Sequence, residues 1–421
     1  VTAPHVHVVG AGMAGLAAAV ALTQAGCRVS LIEAGPQAGG RCRSYDDREI
    51  GCRVDNGNHL LLSGNRASMA YLDTIGARDT LGGPGDPFFP FFDVRDASRW
   101  TVRPNAGRLP WWIFSARRRV PGTRAADYLP LIRLARAKGS ERTVDAMLPR
   151  GALRERLMEP LAISALNTPL DQAKAGLMAA VMSESLMRGG AACVPLFPRA
   201  SLAESLVEPA LAWLAAHGAD VTTGRRVAGL RIEDGRVAGL LGPGGEIAAE
   251  RVVLAVPPPV ASGLIHNLSA PDAFEAIMNI HFRAAPQPEP DIARAGFSGV
   301  IGGLAEWVFV KPGHVSVTIS AANRLIDAPP ASLAADVWPE VAAALSLAGP
   351  MPAWRVVKEK RATFAATAAQ DRRRPDARTA LGGVALAGDW TATGLPATIE
   401  GAIRSGNSAA ALILSELAPR G

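Results

Sequence analysis

The pattern of apolar and polar positions changes period several times along the chain. Val6, His7, Val8 and Val9 form a short β-branched run, an Ala-rich stretch over residues 16–24 reads as a helix ended by Gly26, and residues 27–32 read as a second strand. Residues 45–54 predict a hairpin and 66–76 a helix. Residues 125–190 are mostly helical by pattern, and 201–217 form an amphipathic helix. The period then drops to two. Strands are expected at 226–232, 236–241 and 247–256, with turns at Glu233-Asp234-Gly235 and at 242–245. Residues 307–310 and 315–319 alternate like sheet strands, 384–387 read as a buried strand, and 398–417 as a closing helix. Strand, helix and strand in succession, with a buried strand returning late, predict an α/β fold.

The link between the first strand and helix carries chemistry. Gly10, Gly12 and Gly15 stand in the Gly-x-Gly-x-x-Gly spacing, with Ala11, Met13 and Ala14 between them. Gly10 allows the tight turn, Gly12 lets a pyrophosphate approach the backbone, and Gly15 lets helix and strand pack closely. The phosphates would lie on free N–H groups at the helix N-terminus. Glu33, at the end of the second strand, suits the two hydroxyls of an adenosine ribose and disfavours a 2′-phosphate.

After Glu33 and Ala34 comes Gly39-Gly40-Arg41. This turn resembles the second fingerprint of the FAD-dependent amine oxidase and phytoene desaturase superfamily, in which it lies against the FAD pyrophosphate. The resemblance implies FAD as cofactor. It also implies a Rossmann-like FAD-binding domain of the glutathione-reductase-2 type, assembled from residues 1–68, 197–262 and 379–421. A mixed α+β substrate domain then takes 69–196 and 263–378. In the superfamily the loop holding Asp55, Asn56, Gly57, Asn58 and His59 passes the flavin ring. The meander returns the chain to the FAD domain, placing Val227 near the adenine. Gly388 and Asp389 meet the ribityl chain or pyrophosphate, and the backbone around Pro396, Ala397, Thr398 and Ile399 faces the isoalloxazine.

A closer resemblance covers nearly the whole chain. Asp55 to His59, the stretch from Asn105 to Thr123, Pro160-Leu161 with Ala165 to Pro169, and Gly388 to Pro396 are similar to the hydroxysqualene dehydroxylase family. One departure is Asn58, where the family pattern has Gln. The resemblance implies a net reduction, hydroxysqualene to squalene with loss of water, in hopanoid biosynthesis. A hydroxyl leaves only when protonated, so a general acid is needed. The candidates are His59, Glu400 at the start of the closing helix, and Asp55. The partner is then a hydrophobic C30 isoprenoid in an apolar pocket. A carotenoid or phytoene-type polyene desaturase using oxidised FAD is the alternative. A cofactor-free prenyl-lipid carrier of the same fold would lack the glycines, Arg41 and Asp389.

Composition changes this picture in few places. About half of the 421 residues are apolar, which indicates a globular chain. No run reaches the ~18 apolar residues of a membrane span. The first strand begins almost at once, which reads as cytoplasmic residence, with any membrane contact at the inner face. The net charge is +6 and the pI about 9.5, yet no nucleic-acid-binding signature is present. Cys27, Cys42, Cys52 and Cys193 form no C-x-x-C pair, so neither a metal site nor a dithiol is indicated. Residues 84–122 hold 8 of the chain's 22 aromatics. There Trp111, Trp112 and Phe114 precede Arg117, Arg118 and Arg119, a pattern that suits peripheral contact with lipid, a hydrophobic gate or plain core. Asn167, ending an apolar run before Thr168-Pro169, reads as a cap or a cavity residue. No second Gly-x-Gly-x-x-Gly marks a nicotinamide site, so the sequence names no electron donor.

Overall fold

The computed structural model describes residues 3–417. Five parallel strands form one sheet, in the order Asp220–Thr222, Arg28–Ile32, His5–Val9, Val252–Leu254 and Val384–Leu386. Val6, Val8, Leu31, Val253 and Leu386 are fully buried in it, the unbroken apolar signature of a sheet covered on both faces. The helices Met13–Gln24 and Ile399–Leu417 lie together on the sheet. Small residues let them close. A Cβ on Gly406 would stand 2.2 Å from the carbonyl oxygen of Ala14.

The expected third strand of the meander divides. Ile247–Ala248 completes the small antiparallel sheet with Gly229–Glu233 and Arg236–Leu241. Val252–Leu254, fully buried, crosses to the parallel sheet instead. Burial on both faces draws the apolar half away from the half-solvated meander. Val227 accordingly stands in the loop before Gly229, not on a strand.

A second, seven-stranded sheet runs Trp354–Phe364, Phe274–Phe282, His314–Ile319, Trp307–Lys311, Phe297–Ile301, Phe89–Asp93 and Arg99–Val102. Its pairs are antiparallel except Phe297–Ile301 with Phe89–Asp93. One face, with Met278, Ile280, Val308, Val317 and Ile319, shares an apolar core with the helix Pro330–Leu345. The opposite face looks into the molecule.

The region 125–190 is helical only in short pieces, such as Leu129–Ala135, Glu159–Leu166 and Ala175–Glu184. A wide turn, Arg154–Met158, precedes Glu159–Leu166, and another, Ala203–Val207, precedes Glu208–Ala216. Both helices carry proline at their second position, Pro160 and Pro209. Proline lacks the N–H, and its ring pushes away the carbonyl one turn back, which opens the turn.

Candidate functional site

The dinucleotide cradle grows from the first strand. The helix Met13–Gln24 starts after Gly12 with no side-chain cap and no acid in its first turn, so its leading N–H groups are open to an anion. A Cβ on Gly12 would meet nothing within 4 Å, whereas one on Gly15 would stand 1.8 Å from Gly10 O, and one on Gly10 2.4 Å from Ala255 O. Gly12 thus keeps ligand space clear, and Gly10 and Gly15 serve packing. Glu33 accepts hydrogen bonds from Ala11 N (2.8 Å) and Gly35 N (2.7 Å), which fixes its carboxylate at the cradle rim. Ala34 is exposed beside it. The loop before Val227 lies against the same rim, with Arg225 N donating to Glu33 O and Gly224 N to Gly35 O.

Gly39 and Gly40 both adopt positive φ, +108° and +54°. Gly39 N donates to Ala11 O (2.8 Å), and a Cβ on Gly40 would press on Gly12 Cα at 3.3 Å. The turn is thereby laid across the cradle. Arg41 pairs with Asp389 (2.8 Å) and also donates to Ala362 O, so the chain's two ends meet at one guanidinium. Glycines, open helix N–H groups, the cation Arg41 and the rim carboxylate Glu33 together fit a pyrophosphate-bridged dinucleotide.

Asp389 is itself held from behind by Arg374, a residue the sequence reading passed over. Its buried guanidinium donates to Asp389 O (3.2 Å), Trp390 O (3.4 Å) and Thr393 Oγ1 (2.9 Å), and pairs with Asp371 (2.9 Å). The arginine run 372–374 was the available signal, but only Arg374 turns inward. Pro396 and Ile399 are buried at the start of the closing helix, next to the half-buried Ala397. Thr398 Oγ1 accepts from Gly401 N (3.0 Å), capping that helix.

The loop 56–59 lies over the polar half of the seven-stranded sheet. Asn56 donates to Glu359 (3.2 Å), and Asn279 donates back to Asn56 O (3.3 Å). Asn58 Nδ2 meets Ser316 Oγ at 2.7 Å and Thr318 Oγ1 at 3.0 Å. Ser316 continues to His281 Nδ1 at 2.8 Å. Asn58 Oδ1 is left buried without a partner among the described residues. A Cβ on Gly57 would stand 3.3 Å from Asn279 Nδ2, a tight approach of the loop to the sheet. Toward the other edge the same face becomes aromatic: Phe91 stacks on Trp100 at 5.6 Å, and Phe297 packs against Trp307 and Phe309 at 5.9 Å. Asn167 stitches this face together. At φ +46° it ends Glu159–Leu166, donates to Thr363 Oγ1 (2.9 Å) and Glu275 O (3.3 Å), and accepts from Ala321 N (2.7 Å).

The three proton-donor candidates separate. Asp55 accepts from Ser44 Oγ (2.6 Å) and Leu202 N (2.8 Å) and faces Lys311 Nζ at 3.7 Å. Glu400 accepts from Ala67 N (3.1 Å) and from Ser68 N and Oγ (2.8 and 2.7 Å), and pairs with Arg404 (2.8 Å). Both carboxylates are engaged in holding elements together. Glu400 turns toward the N-terminus of Arg66–Thr74 rather than toward the cradle. His59 is the uncommitted one. Burial, aided by the Arg41 guanidinium, pushes its imidazole down to about 4. A fourth group was missed: burial pushes the Glu306 carboxyl up to about 7, although Ser320 N donates to it at 2.7 Å. Nothing in the sequence around Glu306 signals this, because the burial comes from elements distant in the chain.

The aromatic stretch before the basic run also divides. Trp112 is 3% exposed and packs edge-on against Tyr128 (5.2 Å), so it cannot share a surface contact with Trp111 and Phe114, which are 54% and 73% exposed.

The sequence matches the flavin-containing amine oxidoreductase family over residues 13–285 and 309–414. It is 46% identical over 414 residues to the hydroxysqualene dehydroxylase of Rhodopseudomonas palustris, covering 97% of this chain and 98% of that one. It is 43% identical to the protein of the same name from Zymomonas mobilis, covering 97% and 99%. In fold it resembles a redesigned putrescine oxidase (TM-score 0.72, 16% identity, 98% of this chain and 99% of that chain). It also resembles the cyclohexylamine oxidase of Brevibacterium oxydans (TM-score 0.70, 18% identity, 99% of each chain). FAD is thus the cofactor. The chain is an FAD-dependent oxidoreductase of the hydroxysqualene dehydroxylase family, within the flavin-containing amine oxidoreductases.

Proposed function

We propose that this protein converts hydroxysqualene to squalene by reductive loss of water. The observation that carries the reading is the division of one buried sheet face into a polar half and an aromatic half. Asn58, Asn279, Ser316 and Thr318 mark the first, and Phe91, Trp100, Trp307 and Phe309 the second. A long hydrocarbon with one hydroxyl has the same division. The likeness in sequence to hydroxysqualene dehydroxylases supports a place in hopanoid formation.

In this reading Gly10, Gly12, Gly15, Glu33, Gly39, Gly40, Arg41 and Asp389 hold the cofactor. Residues 1–68, 197–262 and 379–421 form its domain, and 69–196 with 263–378 form the substrate domain. Reduced FAD supplies a hydride when bound. The chain's own groups do the rest. The buried, unpartnered acceptor Asn58 Oδ1 takes the substrate hydroxyl's hydrogen bond and orients it. His59 delivers the proton that lets the oxygen leave as water, while Asp55 and Glu400 hold the surrounding elements. The aromatic half seats the tail and excludes water, which strengthens the charge interactions at the reacting carbon.

The test is the direction of the reaction. Chemically reduced holoenzyme, kept anaerobic, is mixed with hydroxysqualene, and oxidised holoenzyme with polyenes; both are extracted and the lipids identified. Squalene from the first mixture supports the proposal. Unchanged hydroxysqualene together with desaturated products in the second would replace it with a polyene desaturase.

A further inference from the structure

Large apolar side chains gather on the outside of one region. Leu109 is 80% exposed, Trp111 54%, Phe114 73%, Leu129 63% and Ile132 42%. Gly190 N donates to Asn105 O and Ala191 N to Ala106 O, which brings the segment of Met187, 44% exposed, beside that of Leu109. Such a cluster on an otherwise charged exterior marks a contact site.

The charge around it selects the partner. Between Arg103 and Lys138 the chain holds nine basic residues and one acidic residue, Asp127. Asp127 is turned to the backbone N–H of Arg124 at 2.7 Å. Arg118 lies over the Trp111 ring at 4.7 Å, while Arg108, Arg117 and Arg133 stand exposed. Apolar side chains ringed by unbalanced cations complement an anionic lipid surface: rings enter the interface and guanidinium groups meet headgroup phosphates. No helix of the described residues is long and apolar enough to cross a membrane, so the contact is with one leaflet.

What lies beneath the surface supports this. Trp112, Tyr128, Leu131 and Leu134, on the inner side of the same segments, share one continuous apolar cluster with Phe91, Trp100 and Trp307 of the aromatic sheet face. Apolar packing therefore runs without interruption from the exposed patch to the proposed seat of the substrate tail.

We infer that the surface built by Leu109, Trp111, Phe114, Leu129 and Ile132 docks the protein on an anionic bilayer. The test is co-sedimentation of the FAD-loaded protein with vesicles of phosphatidylcholine alone, or with about a third phosphatidylglycerol. Binding is expected to the anionic vesicles and to weaken with salt. The triple variant Leu109→Ser, Trp111→Ser, Phe114→Ser should lower it roughly tenfold or more. Arg117→Ala with Arg133→Ala should weaken it and flatten its salt dependence, and both variants should keep the wild-type melting temperature and flavin spectrum. Absence of binding to either vesicle, equal binding by the triple variant, or a stable dimer that buries Trp111 and Phe114 in place of lipid would overturn the inference. Sedimentation reads lipid alone, so failure of the proposed reaction would leave the docking result standing.

Discussion

In the proposed reaction His59 delivers the proton, yet burial and Arg41 push its imidazole down to about 4. Above that value its protonated fraction falls tenfold per pH unit. If the imidazolium is the acid, the single-turnover rate should fall about tenfold per unit between pH 5 and 7. His59→Phe should then be slow and pH-independent over the same range, and a flat wild-type profile would remove His59 from that role. Glu306 makes the opposite kind of statement. Its carboxyl is raised from 4.5 to about 7 in the fold, so the folded state holds a proton the unfolded chain has released. Stability should therefore decline between pH 4.5 and 7 by about 1.4 kcal/mol per unit from this group. Glu306→Gln should flatten that part of the curve in denaturant titrations at several pH values. A curve unchanged by the substitution would show that Glu306 is not held protonated. Individual polar residues of this kind were the least legible from sequence. Ser316 and Thr318 alternate with Val315, Val317 and Ile319 as in any half-solvated strand. Only the loop 56–59 lying over them makes their side the interior.

The strand, turn and helix of the cradle were the most legible element, because Gly10, at φ +100°, and Gly15, whose Cβ would stand 1.8 Å from Gly10 O, sit where other residues clash. The structure separates the glycines' jobs, and a pair of substitutions tests the separation. Gly12→Val puts its side chain into open space at an ordinary backbone conformation, φ −76°. The protein should fold with a normal melting curve but purify without yellow colour. Gly15→Val would force its Cβ into Gly10 O and should fail to fold or melt far lower. If Gly12→Val binds FAD like the wild type, the cradle is misassigned. Asn167 was legible only as cap or cavity residue. It is a cap whose amide also ties Glu275, Thr363 and Ala321. Asn167→Ala should cost about 2–3 kcal/mol, read as a lower denaturant midpoint, since it leaves buried partners unpaired. The third strand of the meander was predicted too long, because alternation does not reveal which sheet claims an apolar run. Val252–Leu254 went to the parallel sheet that buries both faces.

At the scale of the whole molecule, two sheets are joined where the chain's ends meet. Arg41 from the first fifty residues pairs with Asp389 from the last fifty and donates to Ala362 of the long edge strand Trp354–Phe364. The closing segment was readable as a buried strand followed by a helix, whereas the support of Asp389, Arg374, was hidden in a run of three arginines. The seven-stranded sheet was glimpsed only as two strands, since its other members depend on pairings between residues far apart in the chain. Its mixed face, polar beneath the loop 56–59 and aromatic beyond it, is the basis for the claim that a hydroxylated hydrocarbon is reduced here. The most direct test is an anaerobic single turnover of reduced holoenzyme with hydroxysqualene, following flavin absorbance and squalene together. The account predicts one flavin reoxidised for each squalene formed, at matching rates. Flavin that stays reduced while hydroxysqualene persists would contradict it.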